Sequence, residues 1–232
     1  HFHRLLTLRD GFLADGMGDE TVSEKKRCVI VGGADIGDYA RVKQYLREDD
    51  AVVFCDSGLK HMEALGVKPA LIVGDFDSHC NPHLDVETIV LPCEKDDTDT
   101  MLAVKTGLER GETEFHIYGG MGGRRTDHTI ANFQALLYLA RRGAQGWLYG
   151  QGERYTAVCG GTVTFPARDR GILSVFCLGA DARDVSIQGG QYPLHHAVLT
   201  AEFPLGVSNH FVGRPITVSV RDGSLLIGLV ED

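Results

Sequence analysis

Two short stretches concentrate side chains that could do chemistry. In "GDFDS", Asp75 and Asp77 stand two residues apart directly after the apolar run Ala70–Val73. On an extended backbone, residues at that spacing point the same way, so both carboxylates can face one point while Phe76 turns to the other side. That geometry suits a hard cation; Gly74 allows close approach and Ser78 adds a hydroxyl. The same residues would equally serve a solvated loop in which Asp and Ser cap turns. In "EKDDTDT", Lys95, Asp96, Asp97, Thr98 and Asp99 precede a helical pattern that runs to about Arg110 and stops at Gly111. Thr98 suits the helix N-cap, and acids in a first turn complement the helix dipole. Those roles leave Lys95 unexplained. If the two stretches lie side by side, Asp99 can complete a magnesium site with Asp75 and Asp77, and Lys95 can meet a phosphate as a point charge.

A third stretch, "YGGMGGRRTDH", leads from a strand end through glycines into Arg124, Arg125, Asp127 and His128, and then into a helix. Amides exposed at glycine turns and helix starts bind anions, and an adjacent Arg adds paired donors. A plain strand-to-helix connector with Asp127 as N-cap accounts for the same residues. "GGADIGD", after the first strand of this region, fits neither the dinucleotide fingerprint nor the phosphate-loop pattern.

The elements that must position these groups follow from periodicity. Between Cys28 and about Gly150, short apolar runs alternate with helical patterns: "CVIVGG" then Tyr39–Arg47, "AVVFC" then Leu59–Leu65, "ALIVG", "TIVLP" then Thr100–Arg110, "EFHIYGG" then Thr129–Arg142, and "GWLYG". This predicts an α/β fold, a mostly parallel sheet with helices on both faces and ligands beyond the carboxyl ends of its strands. After Gly150 the helical period disappears and β-branched segments recur between turn residues, which predicts a smaller all-β domain, a sandwich or barrel. Asp222-Gly223 in "VSVRDGSLLI" predicts a tight hairpin turn. The expected organisation is an N-terminal extension or processing remnant over 1–26, an α/β domain over 27–150 and a β-rich domain over 151–232.

Composition narrows the classes. The 232 residues are 43% hydrophobic, with a formal charge of −9. An acidic chain without a basic stripe argues against a general nucleic-acid or membrane-surface binder. No apolar run approaches the roughly 20 residues that cross a bilayer. The six cysteines form no C-x-x-C pair, which predicts reduced thiols and a cytoplasmic setting. Trp147 is expected to pack in the core.

Taken in order, "FCDSGL", "GDFDS", "KDDTD" and "GGMGGRRTDH", with "GVSNHF" in the β-rich tail, resemble the thiamine pyrophosphokinase family over about residues 28–232. The resemblance implies transfer of the pyrophosphoryl group of ATP to the thiamine hydroxyl, with Mg2+, in a homodimer whose active sites lie between subunits. It makes Asp75, Asp77 and Asp99 the metal-binding acids and places Asp56 of "CDSG" at the same cleft. Arg125, Asp127 and His128 match the family's R-x-D-H and imply nucleotide and phosphate contacts. Gly58, Ser78, Thr98, Gly120 and Gly123 complete the expected nucleotide-binding set, with Lys95 beside the phosphates. Ser208 and Asn209 are similar to the S-N of the thiamine-binding segment. Two departures stand out: Arg124 occupies the place of a second glycine, and "GGADIGD" lacks the proline common after the first-strand glycines. Rival readings are a pyrophosphokinase for another hydroxymethyl heterocycle such as a pterin, a D-x-D phosphohydrolase or glycosyltransferase, and a noncatalytic nucleotide-binding module.

Overall fold

The computed structural model describes residues 5–9, 12–15, 26–75, 84–90 and 97–231. Two strands come first, β1 (Leu5–Arg9) and β2 (Phe12–Asp15), paired as an antiparallel ribbon. The chain then forms two compact units, Glu24–Gln151 and the stretch from Gly152 onward, and β1 and β2 belong with the second.

The first unit runs β3 (Arg27–Val31), α1 (Tyr39–Tyr45), β4 (Ala51–Cys55), a 3-10 helix (Asp56–His61), α2 (Met62–Leu65), β5 (Leu71–Gly74), β6 (Thr88–Val90), α3 (Asp99–Glu109), β7 (Glu114–Tyr118), α4 (Thr126–Arg141) and β8 (Gln145–Tyr149). Its six strands are parallel, in the order β8-β7-β3-β4-β5-β6. Alternate residues of one strand face opposite sides of a sheet. Val29, Val31, Val52, Phe54 and Tyr118 accordingly pack with Val42 of α1 and Leu65 of α2. Cys28 and Phe115 meet α3 at Gly107, where a Cβ would lie 2.6 Å from the Phe115 ring. On β8, Gly146 abuts Leu136 and Leu139 of α4, and Trp147 is buried as expected. Both faces of the sheet are therefore covered.

Local chemistry explains the helix starts. Asp38 caps α1 by accepting from Ala40 N and Arg41 N, and Thr98 caps α3 by accepting from Met101 N at 3.1 Å, as its sequence position predicts. Helix α4 starts earlier than its period suggests: Arg125 occupies the N-cap and Asp127 lies in the first turn, so Asp127 is not the cap. The helical pattern at Leu59–Leu65 is divided between the 3-10 helix and the single turn of α2.

The second unit is β throughout: β9 (Glu153–Phe165), β10 (Ile172–Cys177), β11 (Ala182–Gln188), β12 (Leu194–Leu199), β13 (Gly206–His210) and β14 (Ile216–Val230). β9 and β14 pair antiparallel from Ile216↔Phe165 to Val230↔Glu153. The expected hairpin at Asp222-Gly223 does not form. Instead β14 continues, and its register against β9 shifts between Val220 and Ser224, opposite Gly160 and Gly161 with φ of 52° and 144°. Extra residues in one strand bend it and increase its twist. Before the shift β14 pairs with β11, as in Ser186↔Ser219; after it, β14 pairs with β10, from Cys177↔Leu225 to Ile172↔Val230. β12 pairs with β11 and β13 with β10, while β1 runs parallel to β9 through Leu5↔Thr162 and Thr7↔Thr164. No helix among the described residues is long and apolar enough to cross a membrane. Among the described cysteines Cys28, Cys55, Cys159 and Cys177 are free thiols.

Candidate active site

Beyond the carboxyl ends of β3, β4, β5 and β7 lies a cavity of about 640 Å³. Four turns and two helix starts wall it. From the end of β3 come Gly32, Gly33 and Ala34; from β4, Cys55, Asp56 and Ser57; from β5, Asp75. The start of α3 contributes Asp97, Thr98, Asp99 and Thr100, and the turn after β7 contributes Gly119, Gly120, Gly122 and Gly123. Arg124, Arg125, His128 and Asn132 close the wall at the start of α4.

Close backbone approach builds this wall. Gly32 N donates to Tyr118 O and Ala34 N to Gly119 O, each at 2.8 Å. Gly119 has φ +63°, and a Cβ there would lie 2.2 Å from Gly32 O, so only glycine fits where the two turns cross. Gly58 has the same packing role: its Cβ would lie 2.1 Å from Val31 O, and it is not among the residues that line the cavity. Asp56 adopts φ +33°, a conformation uncommon outside glycine, tight against Gly74. Asn132, 4% exposed, donates from Nδ2 to Gly120 O at 2.7 Å and so fixes the second glycine turn.

Charge is segregated across the cavity's lining. Asp56, Asp75, Asp97 and Asp99 come from the ends of β4 and β5 and the start of α3, and Arg124, Arg125 and His128 come from the start of α4. Asp97 and Arg125 each form an ion pair. Lys105 Nζ meets both oxygens of Asp97 at 2.7 Å, an interaction that raises the Lys105 pKa. Arg125 grips Asp127 with Nε at 3.0 Å and Nη2 at 2.8 Å, and this draws the Asp127 carboxyl down to about 2. Arg124 has no ion-pair partner among the described residues.

Eight of the expected residues thus meet at one cavity: Asp56, Asp75, Thr98, Asp99, Gly120, Gly123, Arg125 and His128. Asp127 adjoins it through Arg125. Asp77, Ser78 and Lys95 lie outside the described residues. Ser208 and Asn209 belong to the other unit, on β13. There Asn209 Oδ1 accepts from Tyr192 N and His210 N, both at 3.0 Å, and its Nδ2 donates to Tyr192 O at 2.6 Å. Ser208, at φ +61°, is exposed and donates its amide to Ser174 Oγ at 3.0 Å. Asn132 escaped the sequence reading although it lies one helical turn after His128, a spacing that puts both on one face. Gly32, Gly33 and Ala34 carry no side-chain signal of their own.

Carboxylate oxygens are the donor set that magnesium takes, so Asp75 and Asp99 fit that ion in kind. Among the described residues no three metal-ligating side chains converge; the expected third acid, Asp77, is outside them.

The chain has known relatives. The family model described as thiamin pyrophosphokinase, catalytic domain, matches residues 42–148, and that of the thiamin pyrophosphokinase vitamin B1 binding domain matches residues 162–225. The chain belongs to the thiamin pyrophosphokinase family. It is an enzyme of that family, as the sequence motifs imply. A thiamine pyrophosphokinase from Bacillus subtilis is 25% identical over 194 residues, covering 79% of this chain and 88% of its own. The crystal structure of the thiamin pyrophosphokinase from Geobacillus thermodenitrificans is 25% identical with a TM-score of 0.76, covering 89% of this chain and 98% of its own. The Candida albicans thiamin pyrophosphokinase shares the fold at 13% identity, with a TM-score of 0.73 over 90% of each chain.

Proposed function

We propose that the chain transfers the pyrophosphoryl group of ATP to the hydroxyl of thiamine, yielding thiamine diphosphate and AMP. The observation that carries this reading is the segregated charge of the cavity, acids from β4, β5 and α3 and cations with glycine amides from the turn before α4, in a chain of this family. In the reaction the thiamine hydroxyl oxygen bonds to the β-phosphorus, the bond from that phosphorus to the α,β-bridging oxygen breaks, and AMP departs with the bridging oxygen. Little covalent chemistry falls to the protein, so positioning and charge neutralisation dominate.

The residues divide the task. Asp75 and Asp99, with Asp77, would hold Mg2+, which when bound neutralises phosphate oxygens and draws charge from the β-phosphorus. Arg124, Arg125, Lys95 and the amides of Gly120 and Gly123 receive phosphate oxygens, Asp56 and Thr98 flank the nucleotide, and His128 donates from the first turn of α4. Asp127 holds Arg125 through their paired hydrogen bonds. The ion pair with Arg125 draws the Asp127 carboxyl down to about 2, which makes it a poor acceptor for the hydroxyl proton. Ser208 and Asn209 belong to the thiamine subsite, Asn209 by bracing the strand that carries Ser208. We place the working form as a cytoplasmic homodimer with shared sites.

Product analysis tests this. Incubation with ATP, magnesium and thiamine should yield AMP and thiamine diphosphate in equal amounts, and neither without thiamine. ADP, inorganic phosphate without acceptor, or turnover with a pterin in place of thiamine would refute it.

A further inference from the structure

His61 lies behind the cavity, at the end of the 3-10 helix, and is 3% exposed. The functions assigned above do not use it, yet its two ring nitrogens both have partners. Nε2 is 2.9 Å from Ala34 O, and a carbonyl can only accept, so Nε2 carries the hydrogen. Nδ1 therefore offers a lone pair, and it accepts from the Tyr39 hydroxyl at 2.7 Å. One tautomer satisfies both bonds. Burial pushes the His61 pKa below its ordinary value, opposed by the hydrogen bond to the Ala34 carbonyl, with smaller effects from Lys60, which lowers it, and Asp35, which raises it; the neutral ring is the form these bonds describe.

What His61 holds is a wall of the cavity. Ala34 is fixed from both ends: its amide donates to Gly119 O and its carbonyl accepts from His61. The turn it closes, Gly32-Gly33-Ala34, lines the cavity beside Ser57 and Gly119. Two consecutive glycines bring conformational freedom, so the order of this turn depends on the bonds that hold Ala34. We propose that His61, oriented by Tyr39, is a positioning residue that holds the Gly32–Ala34 turn in the shape that receives the nucleotide.

The inference rests on the ATP reading of the cavity. A wall already ordered spares the nucleotide the entropy of ordering it, an effect on affinity shared by ground and transition states. Fixing one residue's backbone is worth about tenfold in affinity. Turnover at saturating nucleotide should then change little, while KM for ATP should rise by the same factor.

The test is calorimetric titration of the full chain with magnesium-α,β-methylene-ATP, which cannot be cleaved at the bond that breaks, with thermal melting in parallel. His61→Leu should weaken binding about tenfold. His61→Gln, whose amide nitrogen can replace Nε2 as donor to Ala34, should bind within about twofold of wild type, a fraction of that free energy. Tyr39→Phe should fall between them and decides the matter if His61→Leu does not fold. A lower melting temperature with unchanged Kd in His61→Leu or Tyr39→Phe would overturn the inference, as would His61→Gln binding no better than His61→Leu. Wild-type protein that makes thiamine diphosphate while His61→Leu keeps its Kd would leave the proposed function standing and remove this role. Nucleotide binding with the tenfold loss but no turnover would support the role and remove the function.

Discussion

Asn132→Ala isolates one buried hydrogen bond in the wall of the cavity. The amide nitrogen of Asn132 donates to Gly120 O at 2.7 Å with the side chain almost wholly out of water. A Cβ at Gly120 would already lie 2.9 Å from that nitrogen, so the two groups fit tightly. Truncation leaves a buried carbonyl deprived of its donor, at a cost of about 1–3 kcal/mol. For a chain of 232 residues each kcal/mol shifts the melting temperature by roughly 2–4 °C. The central expectation is a fall of about 4–8 °C in differential scanning calorimetry, from ~2 kcal/mol at that slope. Asn132→Asp should fall further, because it turns a carboxylate oxygen toward the carbonyl in place of a donor. A melting temperature within about 1 °C of wild type for Asn132→Ala would refute the reasoning, since that corresponds to well under 1 kcal/mol.

Arg124→Gln should weaken magnesium-nucleotide binding about tenfold, the worth of one charged contact, with no change in melting temperature; equal binding would assign the phosphate contact elsewhere. Asp75→Asn should lower turnover at least about a hundredfold, the effect of losing one preorganised electrostatic group, and near-normal turnover would remove Asp75 from the metal site. Burial lowers the pKa of both His61 and His116 below 6.5. Between each folded value and 6.5 the unfolded chain binds more protons, so these histidines stabilise the fold fully above that window and lose their contribution as pH falls through it. Melting temperature should therefore drop between pH 7.5 and 5.5, less steeply in His61→Gln, and a flat or rising profile would contradict both assignments. In mixed dimers of Asp75→Asn and Ser208→Ala subunits, recovered activity is expected from shared sites; verified mixed dimers without it would place each site in one chain.

The α/β unit was legible because its strands are short, largely apolar runs separated by helical patterns, with a start signal such as Thr98 before α3. Most of the cavity followed, since acids and glycines clustered at the ends of such runs have few other places to go in a parallel sheet. What escaped depends on partners remote in sequence. His61 and Ala34 are 27 residues apart, and no local pattern joins them. Gly58 looks like a ligand-binding glycine but is set by the Val31 carbonyl above it. Asp222-Gly223 has the composition of a hairpin turn, yet β9 offers glycines opposite, and pairing along both strands outweighs the local turn preference. The β1 and β2 strands carry too short an alternation to be distinguished from an extension.

The continuity of β9 and β14 through their shared bend has a consequence for how the second unit comes apart. A strand hydrogen-bonded first to β11 and then to β10 transmits strain between them, so neither edge can open far without loosening the ladder that supports the other. Amides of β10 and β11 should therefore exchange with deuterium at a common opening free energy, as one cooperative unit. The segment that carries Ser208 and Asn209 hangs from β10, and its order is coupled in this way to strands on the far side of the bend.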